Sequence, residues 1–380
     1  MFIHRLLNIK QLVKKKSHFL FGPRGTGKSS LIKHDLGDEA LIVDLLHSEI
    51  YMRLMENSSK LESMIELNPK PIVVIDEIQR IPELLNEVHR LIENKQIRFL
   101  LTGSSARKLK RQGVNLLAGR ARSAELFPLN YHELPNFRLP DYLQYGGLPM
   151  VVLSAEPEEE LDAYVSTYLE QEIKAEALVN KLPAFSRFLQ LSALTSGTTL
   201  NFTSIANDAG VSSTTLREYY QILQDTFLGF LLLPWQHAVK RKAIATGRFY
   251  YFDTGVKNRL ANITAIPEQT DLFGQAFEHF IAMELRAYLS YSRKKMPLCF
   301  WRTSEGQEVD FIIDDCVAIE VKAAKKISAK HLKGLTYLME EKKIKNYYLV
   351  SQDPIALKQK GIYILPWEQF IQRLWDGNII

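Results

Sequence analysis

Eight consecutive residues, Gly22-Pro23-Arg24-Gly25-Thr26-Gly27-Lys28-Ser29, spell a complete Walker A pattern. The apolar segment Ser17 to Phe21 precedes it, and Ser30, Leu31 and Ile32 continue it at helical spacing. A glycine-rich turn between a strand and a helix lets backbone N–H groups converge on phosphate oxygens, where the helix N-terminus adds positive potential. Residues 22 to 30 are therefore the expected nucleotide cradle, with Lys28 reaching the β and γ phosphates and the Ser29 hydroxyl ligating Mg²⁺. A second apolar run, Ile72 to Ile75, ends in Asp76-Glu77. Asp76 would complete the magnesium shell, and Glu77 would orient and deprotonate an attacking water. ATP and Mg²⁺ are the cofactors these two motifs imply.

The strand-like run Arg98 to Leu101 delivers Thr102-Gly103-Ser104-Ser105 at its C-terminal end, the edge where open α/β sheets bind ligands. Thr102 or Ser104 is placed to contact the γ-phosphate or the water; a plain polar turn is the alternative. Downstream, Leu116-Leu117-Ala118-Gly119-Arg120 precedes a strand-like segment from Ser123 to Phe127. Arg120 is either a finger that enters a neighbouring subunit's site and stabilises transition-state charge or an ordinary surface arginine.

Residues Phe202 to Leu216 have the spacing of a helix-turn-helix. Ile205 and Ala206 would face inward, Gly210 make the turn, Ser212 or Ser213 cap the second helix, and Leu216, Tyr220 and Leu223 form its apolar stripe. A hairpin expected over Gly229 to Asp253 carries Lys240, Arg241, Lys242 and Arg248, a basic wing suited to DNA. The second helix offers only Arg217 as a cation, so protein contact is the competing role.

Closer to the C-terminus, Glu308-Val309-Asp310-Phe311-Ile312-Ile313 and Val317-Ala318-Ile319-Glu320-Val321-Lys322 flank a three-residue turn. Pairing Ile313 with Val317 sets Asp310 opposite Glu320 and Glu308 opposite Lys322. Strand alternation would place these four on one face and Val309, Phe311, Ile313, Val317, Ile319 and Val321 on the other. Two opposed carboxylates call for a cation between them. Asp310, Glu320 and Lys322 match the PD-(D/E)xK nuclease pattern without its proline, and Glu278, on a helix expected from Phe273 to Leu289, resembles that fold's additional acid. Asp310, Glu320 and Glu278 are thus the expected metal ligands here, with Lys322 holding a nucleophilic water. The alternatives are a nuclease-like fold that does not cut and a salt-bridged hairpin without catalysis.

Elements must position these groups. Apolar runs at 18–22, 40–46, 71–75 and 97–102 alternate with longer helical stretches, the pattern of a parallel sheet covered on both faces. The run near Leu41 suggests an additional strand between the two phosphate-site motifs. Proline and glycine punctuation from Tyr131 to Met150 marks a boundary. The expected fold class is α/β, a P-loop parallel sheet over 1–150, followed by a helical winged-helix domain over 151–255 and a small restriction-endonuclease-like α/β domain over 256–380.

The 380 residues are 46% hydrophobic and 24% charged, which excludes wholesale disorder and a small disulfide-stapled protein. No apolar stretch approaches the ~18 residues that span a bilayer. No secretory signal is readable, and two cysteines give no disulfide framework. A cytoplasmic protein without a membrane partner is expected. The 48 basic and 43 acidic residues leave a net charge of +5, so local clustering rather than the total must decide nucleic-acid binding. The clusters are Lys14 to Lys16, Arg107 to Arg111, Lys240 to Lys242, Arg293 to Lys295 and Lys322 to Lys326.

Taken together, Gly22 to Ser29, Ile72 to Arg80, Leu100 to Ser105 and Leu117 to Arg120 resemble the AAA+ superfamily, specifically the AAA-14 type ATPases whose C-terminal half is catalogued as domain of unknown function 4143. The resemblance extends through Tyr164 to Trp235 to the C-terminal strands, nearly the whole chain. The resemblance implies a winged helix in the middle; with the motifs above, the expected protein is an ATP-hydrolysing switch or motor in a DNA-associated assembly, a homo-oligomer with DNA and protein as candidate partners and a nuclease-like end. The alternative is a non-cleaving, nucleotide-gated scaffold or regulator. No sensor 2 arginine is identifiable, a departure from the usual AAA+ lid.

Overall fold

The computed structural model describes residues 2–107, 109, 117, 119–169, 182–241 and 243–380. Lys108, Lys110, Arg111, Leu116, Ala118 and Lys242, named above in basic clusters and in the finger segment, lie outside the described residues. A first sheet is built from short Val-, Ile-, Leu- and Phe-rich strands: β1 (Ser17–Phe21), β2 (Ala40–Asp44), β3 (Ile72–Asp76), β4 (Arg98–Gly103) and β5 (Ala121–Glu125). All pair in parallel, in the order β2-β3-β4-β1-β5. β1 and β3 are buried along their whole length, as strands with helices on both faces must be. Phe19, Val73, Ile75, Phe99 and Leu101 pack on one face, and Leu20, Val74 and Leu100 meet Leu31 and Ile32 of the helix Lys28–Leu36 on the other. The expected strand near Leu41 is β2. In space, however, β4 lies between β1 and β3 and carries Thr102 to the phosphate-site edge.

The helix-turn-helix forms from Phe202–Ala209 and Ser213–Asp225. Gly210 takes φ +69°, a left-handed turn that glycine adopts without a Cβ penalty. Ser212 Oγ accepts from Thr215 N–H at 3.1 Å. Ile205, Ala206, Leu216, Tyr220 and Leu223 are buried, as their spacing predicts.

A second, eight-stranded sheet contains β6 (Gly229–Pro234), β7 (Arg248–Tyr251), β8 (Leu298–Arg302), β9 (Glu308–Ile313), β10 (Val317–Lys322), β11 (Asn346–Ser351), β12 (Leu357–Gln359) and β13 (Ile362–Pro366). Its order is β12-β13-β11-β10-β9-β8-β6-β7. β6 and β7 form the expected antiparallel hairpin. The hairpin does not stand apart as a wing, because β6 also pairs in parallel with β8, Leu233 with Cys299 and Pro234 with Phe300. An isolated two-stranded ribbon is marginal in water, and joining a neighbouring sheet edge satisfies its backbone. The connecting loop is docked as well. Glu341 accepts from the N–H groups of Val239 and Lys240 at 2.7 Å each, and Arg241 pairs with Glu340 at 2.7 Å. β12, β13 and the helix Trp367–Trp375 complete the C-terminal end.

Asp253 ties the first boundary region to the helix Thr254–Leu260, accepting from Val256 N–H at 3.0 Å and Gly147 N–H at 2.8 Å. Gly146 has φ +77°, and a Cβ there would come within 2.1 Å of Asp253 Oδ1, so only glycine admits this approach. One turn later Lys257 is 4% exposed. Among the described residues no carboxylate pairs with it, and burial lowers its ammonium to about 8. A lysine depressed in the folded state binds its proton more tightly when unfolded. Wild-type stability should therefore rise with pH from about 8 toward the unfolded value near 10.5. Lys257→Met is expected to raise stability at pH 7, by about 3 kcal/mol at most, with the advantage shrinking toward pH 10. Urea melts at several pH values check this, and a pH-independent difference would contradict it.

Candidate functional site

The phosphate loop follows β1 and ends at Gly27, whose left-handed φ of +89° launches the helix Lys28–Leu36. Gly22 sits where a Cβ would meet the Leu126 carbonyl oxygen at 2.4 Å. Thr26 Oγ1 donates to the Pro23 carbonyl at 2.9 Å, which closes the turn. Lys28 is buried, and its Nζ donates to the carbonyls of Gly22 at 2.8 Å and Pro23 at 2.9 Å. The ammonium is thus held against the loop it serves. Arg24, Ser29 and Ser30 are exposed at the mouth.

β3 brings the acids to the same edge. Ser29 Oγ donates to Asp76 Oδ2 at 2.7 Å, and Thr102 Oγ1 donates to the other Asp76 oxygen. The same Thr102 hydroxyl accepts from Glu77 N–H at 3.1 Å. Glu77 has φ +63°, a left-handed conformation that costs a non-glycine residue energy and is held by surrounding structure. Its carboxylate accepts from Gln79 Nε2, which also lies 3.2 Å from Ser104 Oγ, and Ser104 Oγ is 3.4 Å from Glu77 Oε2. Gln79 is 5% exposed and was not singled out in the sequence. The available signal was a polar residue between Ile78 and Ile81, two positions after the acid pair. A hydroxyl beside an aspartate suits magnesium, a hard cation that takes oxygen ligands; Ser29 and Asp76 are the residues that would hold it.

Arg5 was also missed, for it lies 21 residues from its loop partner. It donates to the Thr26 carbonyl at 2.7 Å and the Phe127 carbonyl at 2.5 Å, and pairs with Glu133 at 3.1 Å, all but fully buried. Arg120 is not brought to this site within the chain. Ala121 pairs with Ser17 at the start of β1, so Arg120 stands at the opposite end of the sheet from Gly22, where it pairs with Glu93.

The C-terminal carboxylates assemble around cations. β9 and β10 pair as predicted, Val317 with Ile313 and Ile319 with Phe311. The simple alternation fails at Asp310. Across from β9, Cys299 pairs with Ile312 but Trp301 pairs with Val309, which leaves Phe300 opposite both Asp310 and Phe311. This bulge carries Val309 out of the face expected for it and into the cluster of Ile312, Ala318 and Leu335, whereas Phe311 packs in the other layer. Asp310 Oδ2 accepts from Val321 N–H at 2.8 Å. Lys322 Nζ lies 2.6 Å from Glu320 and 3.7 Å from Asp310.

Arg248, expected on a basic wing, is instead 3% exposed amid acids. Its guanidinium is 2.9 Å from Glu308, 3.4 Å from Glu278 and 3.8 Å from Asp310. Tyr250 Oη donates to Glu278 at 2.5 Å. Burial, followed by repulsion from Asp310, pushes the Glu278 carboxyl up to about 7, with Arg248 opposing. Against the burial that lowers it, Lys322 is held above its ordinary value by Asp310 and Glu320. Among the described residues no group of three or more His, Cys, Asp or Glu side chains is arranged to hold a metal. The expected ligand set of Asp310, Glu320 and Glu278 is therefore brought together in part, but around two protein cations.

The parallel five-stranded sheet, its glycine loop after β1 and the acids after β3 define a P-loop NTPase fold. Residues 14–135 match the model of an AAA domain, 136–266 a domain of unknown function (DUF8612), and 273–370 another (DUF4143). The chain therefore combines an AAA domain with a C-terminal domain of unknown function 4143, in the order that the resemblance implied. It is similar to uncharacterized proteins of Mycobacterium tuberculosis and Mycobacterium bovis, 27% identical over 250 residues in each case, covering 64% of this chain. The match spans 56% of the length of those mycobacterial proteins. An uncharacterized protein of Methanocaldococcus jannaschii is 21% identical over 343 residues, 82% of this chain and 75% of that one. Among solved structures, the replication initiator DnaA bound to AMPPCP and single-stranded DNA overlaps at a TM-score of 0.30 and 13% identity, covering 59% of this chain and 90% of that chain.

Removing the Arg5 head leaves Glu133 buried without its counter-ion. Arg5→Met should cost about 3 kcal/mol in denaturant unfolding, whereas a loss below about 1 kcal/mol would show that the pair contributes like a surface contact.

Proposed function

We propose that this protein is a Mg²⁺-dependent ATPase whose nucleotide state governs a DNA- or protein-holding C-terminal half. The observation that carries this reading is the convergence of Lys28, Ser29, Asp76, Glu77, Thr102 and Ser104 at the C-terminal ends of β1, β3 and β4. Backbone N–H groups of residues 22 to 30 would bind the triphosphate, and Lys28 would exchange its two carbonyl partners for β and γ phosphate oxygens. Bound at Ser29 and Asp76, magnesium supplies charge neutralisation of the phosphates. Glu77 would take the proton of the attacking water while Gln79 and Ser104 hold its carboxylate. Arg120, remote from its own loop, would serve a neighbouring subunit's site in a homo-oligomer.

For the C-terminal half, the pairing of Glu278, Glu308, Asp310 and Glu320 with Arg248 and Lys322 favours a module that holds its partner without cutting. Glu77→Gln is expected to retain ATP while turnover falls at least ~100-fold; undiminished hydrolysis would refute the assignment of the base. Gln79→Leu should lower kcat roughly tenfold with KM nearly unchanged, because it loosens Glu77 without touching the phosphate cradle. Steady-state phosphate release measures both, and a change confined to KM would remove Gln79 from positioning the base.

A further inference from the structure

The structure assigns Arg248 the place that a divalent cation takes in a nuclease of this pattern: we infer that the C-terminal carboxylate site is a metal-free joint closed by an internal guanidinium. This deepens the non-cleaving reading above and is independent of ATP hydrolysis at the phosphate loop.

The argument begins with charge. Glu278 comes from the helix Asp271–Tyr291, Glu308 and Asp310 from β9, and Glu320 from β10. Asp310 and Glu320 are 2% and 4% exposed, and buried acids in one cluster are neutralised by a cation among them or by a proton. Three forms of neutralisation are already present. The two Nη atoms of Arg248 divide between Glu308 on one side and Glu278 and Asp310 on the other. Lys322 takes Glu320 and the second Asp310 oxygen. Arg302 approaches Glu308 at 3.3 Å.

A divalent ion is held by carboxylate oxygens with water completing its shell, and here each of the four acids has an oxygen committed inside the protein, Glu278 to Arg248 and Tyr250, Glu308 and Asp310 to Arg248, and Glu320 to Lys322. Asp310 Oδ2 is further committed to the Val321 amide. Glu320 Oε2 alone has no hydrogen-bond partner among the described residues, whereas Glu320 Oε1 is taken by Lys322 at 2.6 Å. The guanidinium lies over the Phe300 ring at 4.6 Å, which holds it in plane and excludes solvent. Phe300 is the residue opposite the Asp310–Phe311 bulge, so the bulge and the arginine occupy one place in the sheet.

The joint also has a geometric consequence. Arg248 opens β7, which belongs to the hairpin following the helix-turn-helix, whereas its acids belong to the C-terminal elements. Each arm of the guanidinium therefore fastens the middle of the chain to its end. A bound metal would satisfy the same acids without making that connection.

The test is Mn²⁺ titration of the nucleotide-free full-length chain, followed by electron paramagnetic resonance. The wild type should show no ordered Mn²⁺ site that Asp310→Asn removes. Arg248→Gln, which keeps the side chain polar, should bind one Mn²⁺ per chain at least tenfold more tightly than the wild type, and the double variant Arg248→Gln with Asp310→Asn should lose it. A tight wild-type site abolished by Asp310→Asn overturns the inference, as does a folded Arg248→Gln that gains no Mn²⁺ affinity. If Arg248→Gln does not fold, the wild-type titration still decides, and Arg248→Lys provides the conservative control. A parallel plasmid-nicking assay separates the two levels. Cleavage without an ordered Asp310-dependent Mn²⁺ site would sink the non-cleaving reading while leaving the internal cation in place.

Discussion

The helix Asp271–Tyr291 is buried on nearly every side, and a helix placed there must find an internal partner for each polar side chain it carries. Those partners come from all parts of the molecule. Glu278 meets Arg248 and Tyr250 of the hairpin, and His279 Nε2 lies 2.6 Å from the Tyr251 carbonyl. Glu284 accepts from Tyr131 N–H at 2.7 Å and from Trp375 Nε1 at 2.9 Å. Arg286 reaches Glu125 on β5 at 2.9 Å, and Tyr291 Oη accepts from Phe127 N–H at 3.2 Å. One helix thus touches the edge of the first sheet, the segment after it, the hairpin and the C-terminal helix.

This arrangement connects the two candidate sites without a dedicated relay. At one end of the helix, Tyr291 and Arg5 adjoin the phosphate loop, through the carbonyls of Thr26 and Phe127. Toward its other end, Glu278 belongs to the carboxylate cluster. A rigid, fully packed helix moves as a unit if it moves at all. Arg5 and Tyr291 thus set one end of this helix beside the loop, and Glu278 sets it in the carboxylate cluster.

The two sites also differ in how they treat charge. Around the phosphate loop Lys28 donates to backbone carbonyls, Asp76 accepts from two hydroxyls, and Glu77 accepts from the Gln79 amide. In the C-terminal cluster the cations and acids are paired with each other, which leaves little for an incoming ion. A buried ion pair contributes modestly as a whole, but removal of one member is costly, and this asymmetry suits a joint better than a catalytic centre.

Most of the phosphate site was legible in the sequence, because residues 22 to 29 act through their own backbone and Asp76-Glu77 ends a strand whose apolar run is visible. The β9–β10 register was legible for the same reason, since a three-residue turn leaves one pairing. The bulge at Asp310 was not, because it is set by the opposing β8 rather than by β9 itself. Gln79 and Arg5 needed the packed fold to acquire partners 25 and 21 residues away. Arg248 read as a basic wing because its acids lie 30 and 60 residues further on. Local chemistry, motif spacing and apolar period were thus decided by the sequence alone, whereas tertiary contact decided whether each charge faces water, phosphate or another charge, because that depends on which distant strands lie side by side.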